Sequence, residues 1–350
     1  MASYIGNKTM ITFTAAALMI LAVMTMVVEA RDLSTSTGGY GEEAMKVRHQ
    51  QWMAEHGRTY KDEAEKARRF QVFKANADFV DRSNAAGGKS YELAINEFAD
   101  MTNDEFVAMY TGLKPVPAGP KKMAGFKYEN LTLSDVDQQA VDWRQKGAVT
   151  GIKNQGQCGC CWAFAAVAAV ESIHQITTGN LVSLSEQQVL DCDTDGNNGC
   201  NGGYIDNAFQ YIISNGGLAT EDAYPYAAAQ GTCQSSVQPA VTISSYQDVP
   251  SGDEAALAAA VANQPVAVAI DAHNNFQFYS SGVLTADTCG TPSLNHAVTA
   301  VGYSTAEDGT PYWLLKNQWG QNWGEGGYLR VERGTNACGV AQQASYPVAR

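Results

Sequence analysis

The segment CGCCWAF, residues 158–164, places three cysteines within four positions and leads directly into a run, AFAAVAAVESIHQI, that is typical of a helix. Two kinds of chemistry compete for these thiols. Cys158 and Cys161 have the C-x-x-C spacing of a redox dithiol, or one thiol could act as a nucleophile. Cys161 is the better-placed nucleophile, because unpaired backbone N–H groups and the helix dipole favour a thiolate at the start of a helix.

Composition and charge divide the chain into two parts. The 350 residues are 45% hydrophobic and 17% charged, which suits one or two folded domains. Residues 137–350 carry 19 Asp and Glu against 7 Lys and Arg, whereas residues 1–136 carry 17 against 16. All 8 cysteines lie after residue 157. The acidic, cysteine-bearing part argues against nucleic acid as a partner, and the contrast indicates two regions with different fates.

The N-terminus is typical of a secretory signal peptide. An apolar run, residues 10–28, follows a short polar head and ends near Ala30, a small-residue site suited to cleavage before Arg31. An uncleaved signal anchor is the alternative, since the run is long enough to span a bilayer. We expect cleavage, no membrane contact afterwards, and an oxidising compartment in which cysteines form disulfides.

The pattern along the chain predicts an α+β protein. Residues 42–86 are helix-prone, YELAINEFADMT alternates like a strand, and MTNDEFVAMY is helical. A proline- and glycine-rich linker, residues 112–136, contains a glycosylation sequon at Asn130. Helices are then predicted at 161–178 and within 185–215, followed by the strand-like runs AVTISSYQDV, QPVAVAI, NHAVTAVGY, YWLLKNQW and GYLRVER. Helices followed by strands indicate a helical lobe and a sheet lobe.

A thiol nucleophile needs a base, and three histidines follow the linker. His174 lies in the helix that Cys161 opens, about 20 Å along its axis, and is too distant. His273 lies in a polar turn, where we expect it to be solvated. His296 begins an apolar strand that could hold the ring in place.

Two amide side chains could complete such a site. Asn317 follows a strand and stands between aromatic residues, so its amide could orient an imidazole. Gln155 precedes Cys161 by six positions and could donate a hydrogen bond to an oxyanion together with the Cys161 backbone N–H.

These segments resemble those of a known family. GQCGCCWAF, NHAV and KNQWG are similar to the three signature segments of the papain-like cysteine proteases, with His296 135 residues after Cys161. The resemblance extends to about residues 42–348. Glu65, Arg69, Phe73, Asn76, Val80 and Asn84 resemble the ERFNIN motif of the inhibitory prosegment, and Ala94, Asn96, Phe98 and Asp100 resemble its GxNxFxD motif. The layout is similar to that of plant secreted or vacuolar members of the senescence type.

The resemblance implies a fold and a reaction. The fold would be the two-lobed papain-like one, with a helical lobe, a β-barrel-like lobe and a cleft between them, preceded by a helical prodomain. Cys161 would be the nucleophile of a cysteine endopeptidase, His296 its general base and acid, Asn317 the residue that orients His296, and Gln155 the oxyanion donor. The implied substrate-binding residues are Gly202, Gly203, Tyr204, Ile205, Ala269, Leu294, Ala297, Trp319 and Gln343, whose apolar wall favours bulky apolar side chains at P2.

The resemblance also pairs six of the cysteines, and the residues alone would leave 15 pairings of these six open. It pairs Cys158 with Cys200, Cys192 with Cys233, and Cys289 with Cys338. Cys160 stands where the family usually has Ser or Ala. It is either an inert filler or a redox brake on the active site. Gly151, Ala165, Asn295 and Gln318 are further departures.

The resemblance implies a zymogen with three parts: a signal peptide at 1–30, an inhibitory prosegment of the I29 type at 31–136, and a catalytic domain at 137–350. We expect protein and peptide substrates, the prosegment as an intramolecular inhibitor, cystatin-type inhibitors, a monomer, and no metal or organic cofactor. The destination would be a vacuole, a lysosome-like compartment or the extracellular space. The alternatives are a proteolytically inert storage or binding protein, and a prosegment that serves as the inhibitory product.

Overall fold

The computed structural model describes residues 41–114, 116, 126–129, 140–290 and 292–350, without the side chain of Asn274. The predicted signal peptide, the sequon at Asn130 and the predicted start of the catalytic domain near 136 lie outside these residues. The chain divides into two compact units, one ending at Ala86 and the other beginning at Gly87. Among the described residues, no helix combines the length and the apolar character that a bilayer crossing requires.

The first unit consists of two helices, α1 (Glu42–Glu55) and α2 (Glu63–Ala85). Asp62 caps α2 by accepting a hydrogen bond from the Glu65 backbone N–H. Aromatic rings form the contact between the helices, with His49 and Trp52 of α1 at 4.9 and 5.2 Å from the ring of Phe73. Of the ERFNIN-like residues in α2, Phe73 and Val80 are buried, whereas Asn84 is exposed.

The second unit contains six further helices and nine strands among its described residues. The helices are α3 (Asn103–Tyr110), α4 (Cys161–Thr178), α5 (Glu186–Cys192), α6 (Ile205–Ser214), α7 (Glu254–Asn263) and α8 (Ala286–Cys289). The strands are β1 (Tyr91–Leu93), β2 (Val141–Asp142), β3 (Ile243–Asp248), β4 (Val266–Ile270), β5 (Tyr279–Leu284), β6 (His296–Thr305), β7 (Pro311–Lys316), β8 (Tyr328–Glu332) and β9 (Ala344–Ala349).

The strands form one sheet in the order β1-β5-β8-β7-β6-β4-β9-β3, with β2 added to β6. All pairs are antiparallel except β5 with β8. The central strand β6 begins at His296, which lies opposite Ile270 of β4. Its other neighbour, β7, ends at Lys316, so Asn317 follows directly. The sheet therefore holds the ends of two adjacent strands at the same place.

Helix α4 is buried along most of its length. Its residues from Cys161 to Ile173 are buried, and five of them are alanines. Small side chains allow the helix to lie close to β6, where the Thr299 hydroxyl donates to the Ala165 carbonyl oxygen at 3.4 Å. Gly179, with a φ of 77°, ends the helix in the left-handed conformation that glycine adopts most readily.

Most predicted elements are confirmed, including the helix at 161–178 and the α+β arrangement. Five elements have no counterpart in the predictions: β2, α7, β5, α8 and β9. The alanine-rich α7 lacks a polar face, and β9 contains Pro347, which disfavours a strand prediction. The alternating segment YELAINEFADMT forms a strand only at Tyr91–Leu93, and the following residues form turns.

A buried ionic cluster lies beneath α4. The Lys153 ammonium donates to Glu171 at 2.9 Å and to Glu186 at 2.7 Å. The Thr150 hydroxyl donates to Glu171 and accepts from the Lys316 ammonium at 2.8 Å. Burial lowers the pKa of Lys153, but the two carboxylates more than offset this effect, so its pKa is raised. The cluster joins the start of the catalytic region, α4, α5 and β7.

We predict that Lys153→Met destabilises the protein by about 3–5 kcal/mol, because it leaves the buried Glu186 carboxylate without its hydrogen-bonded cation. Urea unfolding followed by tryptophan fluorescence measures the change. Lys46→Met is the matched control, since Lys46 pairs with Glu42 and Glu43 on the surface and its loss should leave the midpoint unchanged. Equal midpoints for the two variants would contradict the prediction.

Candidate active site

Cys161 is the first residue of α4 and is fully buried. Burial raises the pKa of its thiol to about 12, although hydrogen bonding by the backbone N–H groups of Ala297 and Trp162 lowers it. Ala297 follows His296 in β6. The predicted nucleophile and the predicted base are therefore brought together from elements far apart in the chain.

The His296 ring is held on one edge and one face. Its Nε2 lies 2.8 Å from the Asn317 Oδ1, and the Trp319 ring stacks on it with centroids 4.4 Å apart. Because an amide oxygen only accepts, Nε2 carries the proton of the neutral ring. The buried Nδ1 has no hydrogen-bond partner among the described residues, so it remains available to accept a proton. Burial lowers the pKa of His296 to about 4.

Gln155 is completely buried beside the nucleophile. Its side-chain amide donates to the Cys158 carbonyl oxygen at 2.8 Å, and its backbone N–H donates to the Gln318 carbonyl oxygen at 2.9 Å. An amide nitrogen carries two hydrogens, so one remains for a further acceptor. The Gln318 side chain in turn donates to the Ala297 carbonyl oxygen at 2.9 Å.

The segment from Tyr110 to Lys114 covers this site. The backbone N–H groups of Gly112 and Leu113 donate to the Asn295 carbonyl oxygen at 3.1 and 3.0 Å. Gly203 donates to the Gly112 carbonyl oxygen and accepts from the Lys114 N–H, both at 2.9 Å. The contact leaves no room for a side chain at residue 112, where a Cβ would lie 2.0 Å from the Gly159 oxygen.

Trp319 is sealed by the same part of the chain. Its indole N–H donates to the Tyr110 carbonyl oxygen at 2.9 Å, and the Phe106 ring meets it edge-on at 4.9 Å. Asn96, which belongs to the GxNxFxD-like motif before α3, also forms a hydrogen bond: its amide donates to the Gln277 carbonyl oxygen at 2.7 Å.

The other predicted substrate-binding residues lie around the covering segment. The Lys114 ammonium lies 5.9 Å from the centroid of the Tyr204 ring. The Gln343 side-chain oxygen accepts a hydrogen bond from the Val116 N–H at 3.2 Å. A Cβ on Gly202 would lie 2.6 Å from the Gly112 oxygen, so it too permits a close backbone approach. The apolar members join one cluster with Cys161: Ile205, Ala269, Leu294 and Ala297.

The cysteines bond as the family resemblance implies. The structure contains the disulfides Cys158–Cys200, Cys192–Cys233 and Cys289–Cys338, and it leaves Cys160 and Cys161 as buried free thiols. Cys158 is therefore not available for a dithiol with Cys161.

Two residues near the site have contacts that the sequence did not indicate. His273, expected to be solvated, is hydrogen-bonded to the Asp271 carboxylate and has a side chain that is 39% exposed. Sequence reasoning also missed Tyr226, whose hydroxyl lies 3.0 Å from the Cys160 sulfur and donates to the Gln155 carbonyl oxygen at 2.7 Å. No motif or spacing pointed to Tyr226, because it is brought to the site only by the folded chain.

Two family profiles match the sequence. The papain family cysteine protease profile matches residues 138–348, and the cathepsin propeptide inhibitor domain (I29) profile matches residues 49–106. The chain is 52% identical over 335 residues to senescence-specific cysteine protease SAG39 of Oryza sativa subsp. japonica, covering 94% of this chain and 96% of the relative. It is 50% identical to senescence-specific cysteine protease SAG12 of Arabidopsis thaliana, covering 87% and 90%.

Solved structures of precursors are also similar. Recombinant stem bromelain precursor superposes with a TM-score of 0.78 at 46% identity, covering 87% of this chain and 99% of that one. The proform of Amb a 11, a ragweed pollen allergen, superposes with a TM-score of 0.81 at 42% identity, covering 89% and 95%. The chain belongs to the papain family of cysteine proteases, and it is a cysteine endopeptidase with the inhibitory propeptide of a zymogen.

Proposed function

We propose that Cys161 is the nucleophile of this endopeptidase and His296 its general base and acid. The observation that carries the proposal is the orientation of the histidine: Asn317 occupies Nε2 at 2.8 Å, and the unpartnered Nδ1 is buried in the same site as the thiol. An inert storage or binding protein, the rival function, would have no need to hold an imidazole in this orientation.

The reaction follows from these positions. Nδ1 of His296 takes the thiol proton, and the Cys161 thiolate attacks the carbonyl carbon of the scissile peptide bond. The resulting oxyanion accepts hydrogen bonds from the free amide hydrogen of Gln155 and the Cys161 backbone N–H. The imidazolium then protonates the leaving amine, which departs as the C–N bond breaks and leaves a thioester. Water, deprotonated by His296, hydrolyses the thioester, and the proton returns to the thiolate.

The covering segment accounts for a silent precursor. It removes water from Cys161 and His296, and burial then disfavours both the thiolate and the imidazolium that the reaction requires. Its backbone also forms hydrogen bonds with the N–H and carbonyl groups of Gly203, which are the groups proposed to pair with an extended substrate. We infer that removal of residues 31–136 opens the cleft and restores water to the dyad.

The proposed biological role is protein turnover in a plant. The senescence-specific relatives support it, and so does the propeptide, which suits delivery through the secretory pathway to a vacuole, a lysosome-like compartment or the extracellular space. We further propose that the mature enzyme acts as a monomer, is inhibited by cystatin-type proteins, and uses no metal or organic cofactor. Asn130 remains a proposed glycosylation site.

We predict that His296→Gln lowers kcat of the mature enzyme by about 10³-fold, because proton transfer to and from the thiol is lost. Hydrolysis of a Leu-Arg fluorogenic peptide measures the effect. His174→Gln is the matched control and should retain parental turnover, since His174 lies about 20 Å along α4 from Cys161. Loss of activity in both variants, or in neither, would contradict the assignment.

We predict that Gly112→Ala speeds processing of the precursor, because the added methyl group cannot fit against Gly159 and the covering segment must move. Precursor and mature bands are followed over time on a gel at neutral pH. Gly41→Ala is the control, since a Cβ there meets nothing within 4 Å and should leave the rate unchanged. A precursor with Gly112→Ala that is as stable as the parent would show that this contact does not restrain activation.

We predict that Gln343→Glu changes specificity at P2. Gln343 contributes its side-chain oxygen to the proposed P2 pocket, and a carboxylate there would attract a cationic side chain. The kcat/KM ratio of Arg-Arg over Leu-Arg peptides should rise by about 10-fold, which corresponds to about 1.4 kcal/mol. An unchanged ratio would place the P2 pocket elsewhere.

A further inference from the structure

We propose that Tyr226 and Cys160 are positioning residues for the oxyanion donor. This inference rests on the proposed roles of Cys161 and Gln155. It concerns the loop from Gln155 to Cys161, which carries the donor at one end and the nucleophile at the other. The Tyr226 hydroxyl contacts both ends, since it lies 2.7 Å from the Gln155 carbonyl oxygen and 3.0 Å from the Cys160 sulfur.

The direction of these two hydrogen bonds follows from the atoms. A carbonyl oxygen only accepts, so the single hydroxyl hydrogen of Tyr226 is donated to Gln155. The Tyr226 oxygen can then interact with Cys160 only as an acceptor, and the thiol of Cys160 must be the donor. The sequence of donors is therefore Cys160 to Tyr226 to Gln155.

The environment keeps Cys160 in the donor form. The side chain is fully buried, and burial raises the pKa of the thiol so that it stays protonated. The same burial disfavours the thiolate that oxidation requires. Of the two roles that the sequence left open for Cys160, inert filler and redox brake, neither describes a thiol that donates a hydrogen bond toward the oxyanion loop.

Tyr226 is itself firmly placed. Its ring meets the Phe164 ring of α4 edge-on at 4.9 Å, and its backbone N–H donates to the Glu221 carboxylate at 2.9 Å. These contacts hold the Tyr226 hydroxyl in place, although Tyr226 is far from Cys160 in the sequence. The Gln155 backbone N–H donates to Gln318, and its carbonyl oxygen accepts from Tyr226. These two bonds fix the backbone from which the side-chain amide extends.

The test is Tyr226→Phe in the mature enzyme. The variant loses the hydroxyl but keeps the ring, so the loop should lose its tether without losing its packing. We expect kcat for peptide hydrolysis to fall by about 10-fold, less than the loss on deleting an oxyanion donor, and KM to change by less than about 2-fold. Alkylation of Cys161 by iodoacetamide should keep its parental rate, because that displacement forms no oxyanion.

Tyr224→Phe is the matched control for removing a buried hydroxyl. The Tyr224 hydroxyl donates to the Asp191 carboxylate at 2.8 Å and does not contact the oxyanion loop, so its loss should lower the thermal midpoint while kcat stays at the parental value. A Tyr226→Phe enzyme with parental kcat would overturn the inference. So would a fall in kcat matched by an equal fall in alkylation rate, which would show a general distortion of the site.

Variants of Cys160 provide the second arm. Cys160→Ser keeps a hydrogen-bond donor and should have a kcat close to the parental value. Cys160→Ala should lower kcat by about 3-fold. Adding Cys160→Ala to Tyr226→Phe should have no further effect on kcat. Equal activity of the Ser and Ala variants would remove Cys160 from the network. Failure of the proposed function is separately visible, because peptide hydrolysis would then survive complete alkylation of Cys161.

Discussion

The close packing of helix α4 against strand β6 is the constraint on which the site depends. The proposed nucleophile, Cys161, is the first residue of the helix, and the proposed base, His296, is the first residue of the strand. The distance between the two elements therefore sets the distance between the two groups. Small residues make that distance short: Ala165 accepts a hydrogen bond from Thr299, and Ala297 lies beside the thiol. A larger side chain at either alanine would separate the helix from the strand.

Burial acts on stability and on chemistry in opposite ways. The apolar helix and the sheet gain from exclusion of water, whereas a thiolate and an imidazolium lose from it. In the covered state burial raises the pKa of Cys161 to about 12 and lowers that of His296 to about 4, so both groups are neutral near pH 7. The same covering segment supplies backbone hydrogen bonds to Asn295 and Gly203. In the proposed function, inhibition combines occupation of the cleft with exclusion of water from Cys161 and His296.

The sequence predicted the parts of the site that are encoded locally. Cys161 precedes a recognisable helix, His296 and Asn317 lie at strand ends, and the motif spacing identified the family. Tyr226 could not be predicted, because its hydroxyl meets Cys160 across 66 positions and belongs to no periodic element. The buried cluster around Lys153 was equally hidden, since charged residues are ordinarily assigned to the surface. Strand β9 was missed because Pro347 is unusual in a strand, and its pairing with β3 and β4 is not visible in the local sequence.

The most direct test of the central claim is labelling of the precursor and of the mature enzyme with a peptidyl epoxide, followed by peptide mass spectrometry to locate the adduct. The account predicts an adduct on Cys161 in the mature enzyme, no adduct on Cys160, and a precursor that stays essentially unlabelled over the same period. An adduct on Cys160, or equal labelling of precursor and mature enzyme, would contradict it.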